Sequence, residues 1–276
     1  MQNIQAVIFT ALAAVSAVFL RCIQLAFMIE PATGFTTDDM SVFSTAITVI
    51  ILLLCVICGV ITLFGRGSNG EGAKPKRTFV LAGVCILLGC ALMVEPILNG
   101  VAVNNVPGVL CVLRLAAMLL SGVCFLYAGV CLLFGYRIAL GLTVVPTVLW
   151  VLRLMCTFIS YTVMSNITDN FYDICSLIFT LLFFMYQGKT LCGVGSKKRA
   201  AFMRITGSVA VIMNLTAVLP HYLISAFGVT GFAHRPVDHP VTTLLATAYI
   251  AVCLCTARGK VKAEGAGPPA TPQSKI

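Results

Sequence analysis

The chain has 276 residues, 59% of them hydrophobic and only 10% charged, with a mean hydropathy of +1.03 and a formal net charge of +9. Soluble domains carry about 25% charged residues, so this composition excludes a water-soluble globular domain and points to an integral membrane protein. Apolar stretches of spanning size consume almost the whole length, which leaves no room for a separate soluble domain.

Eight such stretches follow one another, each of a length that carries a helix across roughly 30 Å of hydrocarbon. The first, 4–29, lacks a basic start, and its apolar run continues through "VFLRCIQLAFMI". It reads as an uncleaved helix rather than a signal peptide. It carries Arg21, nine residues before Glu30, or about 13 Å at helical rise. Ala13 and Ala17 give it a small-xxx-small pair suited to close helix packing. The second stretch, 40–64, contains Cys55 and Cys58, which in an apolar helix read as small packing residues rather than a redox or zinc pair. The third, 78–98, places Glu95 before Pro96.

The fourth stretch, 107–134, and the fifth, 138–164, carry the similar heptads "VLCVLRL" (109–115) and "VLWVLRL" (148–154). The helices run in opposite directions, so the shared letters do not mark a duplicated unit. What they share is depth. Arg114 lies about 10 Å from Pro107 and Arg153 about 18 Å from Ser165. With Arg21 they bring three arginines into the same half of the membrane. Tyr161 follows in the fifth stretch. The sixth, 171–189, opens with Asp173; the seventh, 204–227, holds Asn214 and His221; the eighth is 240–257. Residues 258–276, rich in Gly, Pro, Lys and Ala, are expected to form a disordered basic tail.

Topology follows from charge. Of the eighteen lysines and arginines, fourteen lie in 65–77, 188–204, Arg137 and the tail, whereas "EPATGFTTDD" (30–39) and "NITDNFYD" (166–173) contain none. The positive-inside rule makes the basic segments cytoplasmic and predicts a cell-membrane protein with both termini inside. The +9 charge then serves topology and anionic lipid, not nucleic acid. Thirteen cysteines, nearly all within the spans, give no disulfide framework.

The expected fold is therefore an all-α polytopic bundle of about eight transmembrane helices, residues 1–257. Laying 82–98 over 206–222 aligns Gly83 with Gly207 and Pro96 with Pro220. This is compatible with two parallel four-helix halves, 1–134 and 138–257, and equally with coincidence between apolar helices that contain Gly and Pro.

An arginine deep in a bilayer costs a few kcal/mol unless it pairs, snorkels or faces water. Glu30, Glu95 and Asp173 are the acidic candidates at that level, with Tyr161 and His221 as hydrogen-bonding neighbours. One reading is a transporter-like protein or solute- and lipid-binding protein whose arginines line an outward-facing site for an anionic solute or headgroup, since guanidinium binds carboxylate and phosphate bidentately. A second is a non-catalytic scaffold or assembly partner in which the same residues form structural ion pairs. A third is a membrane-boundary metal hydrolase using His234, Asp238 and His239 from "FAHRPVDHP", with His221 nearby; no HExxH pair supports it. No cofactor is implied. The "GKT" at 188–190 lacks a P-loop glycine because position 183 is Phe, and there is no GxSxG elbow or dinucleotide turn.

Overall fold

The computed structural model describes residues 2–30, 36–64, 79–99, 106–136, 143–163, 167–191, 197–227 and 240–256. They form eight α-helices: α1 (Gln2–Phe27), α2 (Ser41–Phe64), α3 (Phe79–Asn99), α4 (Gly108–Phe134), α5 (Val144–Val163), α6 (Ile167–Leu191), α7 (Lys197–Ala226) and α8 (Pro240–Thr256). A 3-10 turn, Asp38–Met40, leads into α2. Six of the eight are long and apolar enough to cross a membrane; α5 and α8 offer the shorter stretches Val144–Ser160 and Pro240–Thr256. This is the all-α helical membrane bundle expected from composition. Large apolar side chains such as Val15, Phe19, Val56 and Val112 face outward, as a lipid-facing surface requires and a water-facing one forbids.

Two element boundaries differ from expectation. The segment "NITDNFYD", read as a loop from its polarity, is mostly the opening of α6, which starts at Ile167 instead of 171. Helix α7 begins at Lys197 rather than 204, so Lys197, Lys198 and Arg199 sit in its first turns instead of a connecting loop. Polar residues at a helix end continue the backbone ladder where the chain leaves the hydrocarbon, and hydropathy cannot register that continuation.

Helix α7 is the axis of the bundle, with α1, α2, α6 and α8 packed against it. Ala13 and Ala17 of α1 are buried in the cluster that joins α1, α2 and α7, together with Ile51, Cys55, Cys58, Ile212 and Met213. Cys55 and Cys58 are thus packing residues, and the described cysteines are all free thiols. On the other side α3 packs on α4 and α8, and α4 on α5. Contacts therefore run across the 134/138 boundary, from α1 and α2 to α7 and from α3 to α8.

The α3–α4 approach depends on glycine. A Cβ on Gly89 would stand 2.8 Å from the Gly122 carbonyl oxygen, and one on Gly129 would stand 2.7 Å from Cγ1 of Ile86. Small residues let helix backbones come together where no hydrophobic effect separates helix from lipid. The two glycines aligned in the repeat comparison differ in role: a Cβ on Gly207 would meet Phe183 at 2.9 Å, whereas one on Gly83 would meet nothing within 4 Å. Threonines inside the spans satisfy their hydroxyls on the preceding turn, as Thr10 does on Ala6, Thr62 on Cys58 and Thr216 on Ile212. Pro96 and Pro220 lie inside α3 and α7.

Candidate functional site

The three arginines singled out from the sequence are among the most deeply buried side chains in the protein: Arg21 is 1% exposed, Arg114 and Arg153 2%. Arg21 makes its contacts within α1 and to α6, whereas Arg153 makes contacts within α5 and to α8.

In the first cluster, Arg21 of α1 forms an ion pair with Asp169 of α6 and donates to Oε1 of Gln24, one turn on, at 2.6 Å. Its guanidinium lies 4.3 Å from the ring centroid of Tyr172, and the charge of Asp173 also attracts it. Gln24 then donates from Nε2 to the carbonyl and hydroxyl oxygens of Ser44, at 2.9 and 2.7 Å, and to Thr48 at 3.2 Å. The hydroxyl of Tyr172 closes the ring by donating to Thr48 at 3.3 Å. One buried network thus ties α1, α2 and α6 together. It satisfies an arginine that would otherwise carry a heavy desolvation cost.

Two of its members were not expected. Asp169 was assigned to a loop, and Gln24, an uncharged residue in an apolar run, gave no charge signal. Of the acids expected at the level of the arginines, Asp173 lies near enough for its charge to act on Arg21, while Glu30 is exposed at the end of the segment after α1. The backbone beside Glu30 is held by the Ile29–Thr36 bridge and by the Thr37 N–H donating to the Met28 carbonyl at 3.1 Å.

The second cluster surrounds the start of α8. Glu95 of α3, 5% exposed, accepts the backbone N–H of Val241 at 3.1 Å and that of Thr242 at 2.9 Å, and also the Thr242 hydroxyl. Pro240 occupies the first helical position, where its missing N–H costs nothing. The next two N–H groups, which have no partner inside a helix, are given to a carboxylate from another helix. A negative charge at this point also complements the helix dipole. Glu95, expected to pair with an arginine, is therefore the N-terminal cap of α8.

Arg153 reaches the same place from α5. Its Nη2 donates to the Thr243 hydroxyl at 3.4 Å, and its guanidinium covers Trp150 at 4.6 Å from the ring centroid. Arg114 lies on the buried face of α4 with Cys111, Ala117, Met118 and Ser121. His221 is half-buried near the end of α7. The side chain of Tyr161 lies outside the described residues, as do His234, Asp238 and His239 and the tail 258–276. Among the described residues, no group of three His, Cys, Asp or Glu side chains is placed to hold a metal ion.

Polar pairs continue below these clusters. Asn214 of α7 and Thr180 of α6, both fully buried, exchange hydrogen bonds at 3.0 and 3.2 Å; Asn214 thus serves α6. Nearer the basic segments, Gln187 of α6 donates to the Tyr249 hydroxyl at 2.5 Å. The Asn214–Thr180 and Gln187–Tyr249 contacts each unite two helices. Comparison with known protein families, with curated proteins and with solved structures finds no match to this chain.

Proposed function

We propose that the protein is a non-catalytic multi-pass membrane protein, a scaffold or assembly partner, whose intramembrane charges brace a fixed arrangement of helices. One observation carries this reading. Arg21, Glu95 and Arg153 each reach another helix: Arg21 to Asp169 joins α1 to α6, Glu95 joins α3 to α8, and Arg153 to Thr243 joins α5 to α8. The basic segments support placement in a cell membrane with both termini cytoplasmic, beside anionic lipid.

A double-mutant cycle tests the brace. Arg21→Met or Asp169→Leu alone leaves a buried charge without its counterpart and is expected to cost about 3–5 kcal/mol, whereas the double variant recovers most of that loss. Additive losses in detergent thermal unfolding refute the brace.

A second reading, a transporter-like protein that binds an anionic solute or headgroup, is favoured by one specific observation. Polar pairs occur at every depth, from Arg21–Asp169 through Thr180–Asn214 to Gln187–Tyr249, which is more than a single bracing layer needs. A thermal-shift screen of phosphate, dicarboxylates and anionic lipids discriminates. Stabilisation of the wild type that is lost in Arg153→Ala replaces the scaffold reading with this one; a flat response retains the scaffold.

A further inference from the structure

Towards the C-terminal end of α6, away from its Asp169–Arg21 pair, a cleft opens between α4, α5, α6 and α8. Its empty volume, including the open mouth, is about 450 Å³. Three aromatic rings form its inner wall. Phe184 stacks on Tyr249, with centroids 5.9 Å apart and planes 12° from parallel, and Phe125 meets both edge-on at 5.9 and 5.4 Å. Behind that wall Trp150 stacks on Phe184 at 5.9 Å. The polar side chains of its described lining are few and uncharged: Gln187, Tyr249, Thr143 and Cys124, with no Asp, Glu, Lys or Arg among the described residues that line it. At the mouth Gly188 faces Thr143, and a Cβ there would stand 3.6 Å from its nearest neighbour, so the glycine keeps the entrance wide without being forced by packing.

Ligand pockets are typically apolar and aromatic with a few fixed polar groups. We infer that this cleft is a binding site for a small, neutral, planar aromatic solute bearing a hydrogen-bonding group, such as a ring carboxamide. The ring inserts against Phe125, Phe184 and Tyr249 in offset or edge-on contact. Its polar group reaches the Gln187–Tyr249 pair, where the Gln187 carbonyl oxygen accepts and the Tyr249 hydroxyl donates. A flexible acyl chain would forgo the ring-on-ring contact and lose chain entropy on binding, and an anion would enter an apolar cleft whose described lining carries no cation. The inference stands apart from the Arg21–Asp169 brace, because neither residue lines the cleft; Trp150, which backs its wall, is the ring that Arg153 covers.

The chain supplies its own reporter: Trp150 is its single tryptophan, one ring removed from the cleft. Benzamide is titrated into the purified full-length protein in detergent, with hexanamide and benzoate as comparison probes and Trp150 emission and melting temperature as readouts. Benzamide is expected to give a saturable emission change and a rise in melting temperature, neither of which hexanamide or benzoate produces. Gly188→Leu, which fills the mouth, and Gln187→Leu, which removes the polar anchor, are expected to reduce the benzamide response at least tenfold. Gly188→Leu should melt like the wild type without ligand. Non-saturable quenching, an equal response to hexanamide or benzoate, or an undiminished response in a folded Gly188→Leu protein overturns the inference. The Arg21–Asp169 cycle needs no ligand, so the two conclusions fail separately.

Discussion

Arg21 and Glu95 show how a charge is kept inside an apolar bundle, and they do it differently. Arg21 gathers a carboxylate, an amide and an aromatic face from two helices. Glu95 instead takes over backbone donors that α8 cannot satisfy for itself. For Glu95→Ala the expected loss is about 1–2 kcal/mol, the usual cost of removing a helix cap. Glu95→Gln should lose less, because its amide oxygen still accepts one N–H while the favourable charge at the helix start disappears. Equal losses in thermal unfolding would show that the charge carries the whole effect and the retained amide acceptor none of it. The arginines and Glu95 were legible as sites of unusual cost from hydropathy alone. Their partners were not, since Gln24, Thr242 and Thr243 are ordinary polar residues whose role exists only once helices distant in sequence are adjacent.

Among the elements, α6 and α7 carried the least legible boundaries. Asp169 became invisible as a partner for Arg21 when a polar opening turn was read as loop. That turn is where a membrane helix can carry an acid, because it lies at the edge of the hydrocarbon and still points inward. Helix contact is decided on an equally small scale. Gly83 has open space around its Cβ direction and Gly89 has the backbone of α4, so the same substitution has opposite signs at the two positions. Gly83→Ala should stabilise by about 0.5–1 kcal/mol through helix propensity. Gly89→Ala should destabilise by about 1–3 kcal/mol because α3 and α4 must part. Changes of the same sign in paired unfolding measurements would contradict the α3–α4 interface described above.

For the whole molecule, the distribution of basic residues predicts the direction in which the bundle sits. Reporter fusions placed within 65–77 and after 256 should read as cytoplasmic, and fusions within 100–106 and 228–239 as exported. The reverse pattern would put the arginine clusters on the cytoplasmic side. The internal packing of the bundle does not depend on that outcome. With α7 at its axis, α1, α2 and α8 lean on it and α8 carries the contacts of α3; the Arg21 cluster spans α1, α2 and α6, and the Glu95 and Arg153 contacts span α3, α5 and α8.

Composition and hydropathy by themselves determined an all-helical membrane bundle, the number of its helices and the few residues that lipid would not tolerate without help. Those properties follow from transfer free energies that act on each segment locally, whatever its neighbours. Only the tertiary structure decided that Asp169 meets Arg21, that Glu95 caps α8, and that Phe125, Phe184 and Tyr249 converge on one cleft. Hydrogen bonds, ion pairs and ring contacts act over a few ångströms between residues far apart in the chain, and their geometry is set by how the helices pack together.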